Sequence, residues 1–531
     1  MEHCGTATLC SGSQAEVFDC AELLDRIFAN LKPEQSQLLP FHVTIQLPVP
    51  ERQHLLRAAL TCKTFLEPAL DALWESMNSL IPLLKLLPSF QLVSDTYVLR
   101  GHVSEADRAR YHYYARRVRE FIYPGESSQD RRIADHTKVR LAQIWRCPLL
   151  PALKRFICSD LDRSSLFIHS LFLSPTIQCV ELKSISEEVD KAVGSLLSTM
   201  PYEVPFLQRL VLCDGLSKES LSYVTQLNNI QSLELLELGF IIDPQFIEKL
   251  ASLPHLETLS LNLDGYEHST FPAIGGFRAL KHLTITARFP FVEDILTDIS
   301  SELISFAVTG LPENGWTGDE DWTGDCTRLF TMITRRWQAS CVSVTIDHSG
   351  HWYDSDVMPM TTLSPLFRLS NLEHLKVKRF DLPIVTDDEI HQFATAWPSL
   401  KSLHLPFKPD GSTLKPSLTS LYTLAKHCPS LRSLCIPLTT TSIPALPDDN
   451  VSVHYLRSLL IGNIVEPLRL QDSLLVARHI DRLFPQLQTL ECQAGENANG
   501  TWSTIFTMIQ TLRAVRVDDL DLYHNPKVVS R

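Results

Sequence analysis

Positive charge is in short supply in this chain: 48 Lys and Arg stand against 61 Asp and Glu, a formal net charge of −13. Phosphate binding needs a concentrated basic surface, so neither nucleic acid nor an acidic membrane is expected as the main partner. No apolar run approaches the ~20 residues of a membrane-spanning helix. The start, Met1 to Gly5, lacks the basic residues and apolar core of a secretory signal. None of the 13 cysteines forms a C-x-x-C pair, which points to buried, inert thiols in a reducing cytoplasm or nucleus. The phosphate loop, the G-x-G-x-x-G fingerprint, the G-x-S-x-G elbow and the H-E-x-x-H pair are also missing. No enzyme, cofactor or metal is therefore expected.

What the chain has is leucine at a fixed period. The L-x-x-L-x-L skeleton of Leu233/Leu236/Leu238 recurs at Leu207/Leu210/Leu212, Leu256/Leu259/Leu261, Leu280/Leu283/Ile285, Leu372/Leu375/Val377, Leu400/Leu403/Leu405, Leu431/Leu434/Ile436 and Leu456/Leu459/Ile461. Weaker copies are Leu153/Phe156/Cys158, Ile177/Val180/Leu182, Leu303/Phe306/Val308, Cys341/Val344/Ile346, Leu487/Leu490/Cys492 and Leu512/Val515/Val517. The mean step is about 28 residues, inside the range of leucine-rich repeats. The fourth and sixth positions flank a polar one, as a strand with one buried face requires. One such coil cannot cover its own apolar edge, so coils stack. The expected fold is an α/β leucine-rich-repeat solenoid, or horseshoe, over residues 150–520. Truncating Leu236 or Leu403 to alanine is expected to cost about 2 to 5 kcal/mol.

The segments between strands read as helices. Asp243-Pro244 is an N-cap followed by proline at the first helical position, and Thr386 to Glu389 is a capping box. Prolines 398, 429 and 485 halt a helix just before the next strand. One step is long, and its 312–356 insertion holds a tandem Trp316-Thr-Gly-Asp319, Trp322-Thr-Gly-Asp325 and a His/Asp-rich stretch from Asp347 to Asp356. Neither matches a metal-binding spacing.

Ahead of the array, residues 1–15 read as a disordered tail and 77–149 as a helical connector; 521–531 read as a C-terminal tail. The connector carries a helix opened by Ser104, with Arg108, Arg110, Arg116, Arg117 and Arg119 on or after it. Residues 16–76 show helical spacing in Leu23-Leu24, Ile27-Phe28 and Leu31, a proline-punctuated loop, then Leu55-Leu56 and Ala59-Leu60. The pattern closes with Thr61-Cys62-Lys63-Thr64-Phe65-Leu66-Glu67-Pro68-Ala69-Leu70-Asp71-Ala72-Leu73-Trp74.

This stretch resembles the F-box of fungal F-box proteins with C-terminal leucine-rich repeats. The resemblance implies a small all-α domain that docks the Skp-family adaptor and, through it, a cullin, while the solenoid holds a protein substrate for a ubiquitin ligase. Carried over residue by residue, it implies adaptor contacts at Leu23, Leu24, Ile27, Phe28, Leu31, Leu56, Leu60, Phe65 and Trp74. The alternative, from the residues alone, is a helical cap on a scaffold with no ligase connection. For the substrate, the strand residues that alternate with the leucines are the informative ones. They include Leu235 and Glu237; Thr258 and Ser260; His282 and Thr284; His374, Lys376 and Lys378; and His404. With Arg379, the later part of this face is basic, which suits an acidic or phosphorylated feature of a partner.

Overall fold

The computed structural model describes residues 20–30, 49–124, 132–145, 148–161, 171–238, 242–263, 275–310, 322–348, 360–378, 385–405, 416–440, 443–444, 454–462, 469–493 and 496–524. The expected tail at 1–15, Leu31, Arg379 and residues 312–321 and 349–356 of the insertion lie outside them. The chain divides into two compact units, Met1–Leu256 and Glu257–Arg531.

The first unit opens with three helices, Ala21–Asn30, Val49–Ala59 and Lys63–Trp74. Leu24 and Phe28, one turn apart, meet Leu55 and Ala59, also one turn apart, over Ala69, Leu70 and Ala72. Phe28 and Phe65 close this core edge to face at 5.5 Å. Beyond it run parallel strands Ser76–Met77, Glu120–Tyr123, Arg155–Cys158, Cys179–Leu182, Arg209–Cys213 and Ser232–Leu236, each paired with the next. The segment 77–149 is therefore more than a helical connector. It supplies the strand Glu120–Tyr123 and a second sheet of Phe90–Val93, Thr96–Leu99 and Arg132–Ile133. The strand Glu120–Tyr123 carries Phe121, Ile122 and Tyr123 in place of leucines, which is why a leucine count passes over it.

Helix Glu105–Ala115 starts with the expected Ser104 cap, whose backbone N–H donates to Asp107 Oδ2 at 3.1 Å. Just after it, the buried Arg117 pairs with Glu67 and Asp71 of helix Lys63–Trp74, and Tyr113 Oη donates to Glu67 at 2.6 Å. The three-helix module is thus fastened to the start of the sheet.

The register of the leucine-richest stretch differs from expectation. Leu210 faces Leu233 and Leu212 faces Leu235, so the repeat is Ile230/Leu233/Leu235, all fully buried. Leu236 turns to the other side and is only half-buried. The run offers L-x-x-L-x-L in two phases of opposite parity, and pairing with the preceding strand selects the second. Ser232, Glu234 and Leu236, instead of Leu235 and Glu237, thereby face away from the leucines.

Among the described residues the second unit holds nine parallel strands: Thr258–Asn262, His282–Ala287, Ser305–Gly310, Ser343–His348, His374–Lys378, Ser402–His404, Ser433–Pro437, Ser458–Gly462 and Thr489–Gln493. Leu259, Leu283, Phe306, Val344, Leu375, Leu403, Leu434, Leu459 and Leu490 follow one another across these ladders and are buried. Returning helices, among them Asp387–Ala396 and Thr419–His427, flank them. Thr386 N–H donates to Glu389 Oε2 at 2.8 Å, as a capping box requires. Part of the long insertion is the helix Trp322–Trp337.

The last expected copy, Leu512/Val515/Val517, is not a strand. It lies in helix Glu496–His524, because apolar residues three apart suit a helix face as well as a strand start. Trp502, Ile505 and Ile509 bury one side of this helix. Arg513 ties it to Asp481 at 2.9 Å and to the carbonyls of Phe484 and Leu487. It covers the end of the array with polar and charged groups outward, as a repeat array needs.

Candidate protein-binding face and helical module

Strand geometry points alternate residues to opposite sides, so the positions between the leucines form rows across the second unit. One row runs Thr258, His282, Ser305, Ser343, His374, Ser402, Ser433, Ser458, Thr489. The next runs Ser260, Thr284, Ala307, Thr345, Lys376, His404, Cys435, Leu460, Glu491. Six strands from Thr258 to His404 thus carry Thr258, Ser260, His282, Thr284, His374, Lys376, Lys378 and His404, all expected substrate contacts, on one face. His282, Thr284, His374 and Lys376 are exposed, and Thr258, Ser260, Lys378 and His404 are half-buried. Asp347, Cys435, Leu460 and Glu491 belong to the same face and were missed, although the same offset from the leucines marks them.

The electrostatics concentrate at Lys376. Lys378 Nζ lies 3.7 Å from the carboxylate of Asp347, whereas Lys376 makes no salt bridge among the described residues. Burial, and then Lys378, pull the Lys376 ammonium below its ordinary range, and Asp347 only partly offsets them. His404 is pushed down to about 4 by burial and by both lysines, so its imidazole is neutral near pH 7. Cys435 Sγ sits 3.9 Å from His404 Nε2 and is pushed up to about 12 by burial. This thiol is unreactive.

The corresponding side of the first unit is closed. Ile157, Glu181 and Val211 are buried there. Arg155 bridges Glu120 at 3.1 Å and Glu181 at 2.7 Å, Lys183 adds a contact to Glu181 at 3.1 Å, and Arg209 pairs with Glu234 at 2.8 Å. Ligand atoms of Cys213, Asp214 and Glu237 lie within 4.8 Å of one another. Burial and Asp214 push the Cys213 thiol up to about 12, which makes it a poor ligand for a cation.

The expected adaptor-contact residues divide. Leu24 and Phe28 are 2% and 4% exposed and fill the module's core, so their side chains do not face a partner. Phe65 and Trp74 are half-buried, Trp74 against Tyr114 at 5.1 Å. Leu23, Ile27, Leu56 and Leu60 are 42%, 46%, 47% and 77% exposed. The helical spacing of both sets is the same in sequence, and only the packing of three helices separates them.

Strand after strand with buried leucine-type positions and flanking helices defines an α/β leucine-rich-repeat protein. No family model matches the chain, and no characterised protein matches it in sequence. Among solved structures it is similar to yeast Rad7 in complex with Elc1, at 13% identity and a TM-score of 0.36 over 72% of this chain and 77% of that one. It is also similar to the mouse RP105/MD-1 complex, at 12% identity and 0.36 over 78% and 69%. A leucine-rich-repeat protein of Leptospira interrogans gives 13% and 0.29 over 78% and 99%. Likenesses this distant carry no functional argument, and the repeat assignment stands on the strands and leucines above. No helix among the described residues is long and apolar enough to cross a membrane.

Proposed function

We propose that this chain is the substrate-recognition subunit of a cullin-RING ubiquitin ligase. Its helical module docks a Skp-family adaptor, and the exposed strand face of the second unit binds a protein substrate. The supporting observation is that Leu23, Ile27, Leu56 and Leu60 stay exposed on a module whose own core is already filled. Leu23 and Ile27 lie one turn apart on the first helix, as do Leu56 and Leu60 at the end of the second, and exposed apolar side chains of this kind suit an interaction site. In this reading the chain catalyses nothing, ubiquitin transfer belongs to other subunits, and the setting is the cytoplasm or nucleus. Co-elution of the purified chain with a Skp-family adaptor on size exclusion tests it. The wild type is expected to form a complex, and Ile27→Asp with Leu60→Asp to lose it while the melting temperature holds. Failure of the wild type to co-elute overturns the reading.

That failure would favour the second reading, a protein-binding scaffold capped by the helical module. The Arg117 pairing with Glu67 and Asp71 supports it, since a terminal cap has to be held against the first coil.

A further inference from the structure

The row through Lys376 changes character along its length. Across neighbouring strands it passes from Lys376 to His404, Cys435 and Leu460, then ends at Glu491. A cation with no salt bridge among the described residues is followed by three uncharged groups and then an anion. His404 belongs with the uncharged groups because its imidazole holds no proton near neutrality. Strands lie about 4.8 Å apart, so Lys376 and Leu460 are separated by roughly 14 Å. An extended peptide advances about 3.4 Å per residue and covers that span in about four residues.

We propose that this face binds an extended acidic peptide segment crossing the strands, with an Asp or Glu carboxylate at Lys376 and an apolar side chain about four positions away over Leu460. The proposal deepens the reading of this face as a substrate-binding surface, and it does not depend on adaptor docking. Charge complementarity chooses the occupant. In a chain of net charge −13, Lys376 sits on an exposed strand face where a carboxylate would relieve its repulsion with Lys378. A single carboxylate suits the site better than a phosphate, because a dianion is best met by a bidentate arginine or several open donors. Here the second lysine is already engaged by Asp347. Glu491 sets the direction, as it repels acidic residues at the far end of the row.

The test is selection of a random phage-displayed peptide library on the immobilised full-length chain, followed by fluorescence anisotropy with the enriched peptides. Enriched peptides are expected to share an Asp or Glu spaced about four residues from a Leu, Ile or Phe. The variant Lys376→Glu should weaken binding about tenfold or more, with its thermal melt unchanged, and added salt should weaken the wild type. Peptides without acidic residues, peptides that bind the variant equally well, or no enrichment at all would overturn the proposal. A synthetic peptide with phosphoserine in place of the acidic residue distinguishes the sources. If it binds more than about tenfold tighter than the carboxylate form, the carboxylate assignment falls. Adaptor co-elution reads out separately: its failure beside successful peptide selection removes the ligase role and leaves this inference standing.

Discussion

The two units build the same ladder and finish its outer side differently. In the first, Arg155 lies between Glu120 and Glu181, Arg209 meets Glu234, and Ile157 and Val211 are sealed from water. In the second, His282, Thr284, His374 and Lys376 stand exposed on the equivalent positions. The leucine positions specify how coils stack; the residues between them decide whether a strand face is finished internally or left for a partner. A charge on the first unit's face is a structural element, and a charge at Lys376 is available for binding.

That contrast can be broken in several ways. The largest effect is expected where both units are alike, in the leucine layer. Leu403→Ala removes a fully buried side chain and should cost about 2 to 5 kcal/mol. Leu236→Ala, on the half-buried outward side, should cost about 1 kcal/mol or less. Equal losses in chemical denaturation would reinstate the other register. Next, Arg155→Ala strands the buried Glu181 with Lys183 alone and should cost about 3 kcal/mol, whereas Lys376→Gln should change stability by less than about 0.5 kcal/mol. Similar costs for the two would erase the distinction between a closed and an open face.

A smaller effect is expected at Gly215 in the first unit. Its φ of +54° and its approach to the Ile185 carbonyl leave no room for a Cβ, which would sit 1.7 Å from that oxygen. Gly215→Ala should cost about 2 kcal/mol, read as faster hydrogen exchange confined to the first unit. Acid should then separate the units. His374, His404, His454 and His479 of the second unit all have pKa values lowered chiefly by burial. Their contribution to stability is complete above the unfolded value of 6.5 and is lost as the pH falls through the lowered folded values. Glu293, raised by burial, works in the opposite sense near its own range. Among the described residues of the first unit one histidine, His112, shifts the same way, while Glu181 and Glu67, held low by their partners, lose their contribution only below about pH 4.5. Between pH 7 and 5, exchange should therefore rise more in the second unit, with a drop of a few degrees in its melting temperature. Equal protection of both units across that range would contradict the assignment.

The sequence made most of the ladder legible because a stretch such as Leu372/Leu375/Val377 fits the repeat in one phase only. Where the code was degenerate it failed. Leu233 to Leu238 satisfies two registers, and only pairing with Arg209–Cys213 decides between them. Leu512 and Val515 fit a helix equally well, and Phe121 and Tyr123 form a repeat strand without a leucine. The open face was readable as an offset from the leucines, so Lys376 and His404 could be named in advance. The Asp347 contact to Lys378 and the neutral state of His404 arise between coils some 30 residues apart in sequence, and no local pattern encodes them. In the helical module, periodicity placed Leu24 and Leu23 on one stripe, and the packing partners that bury the first and spare the second are non-local.

Arg117 limits how this protein can be re-engineered. A truncation that begins at residue 76, or a chimera that swaps in a foreign helical module, removes Glu67 and Asp71 and leaves a guanidinium sunk in the protein with no counter-charge. Transplants across this junction have to carry the two carboxylates with them or exchange the arginine for an uncharged side chain of similar bulk.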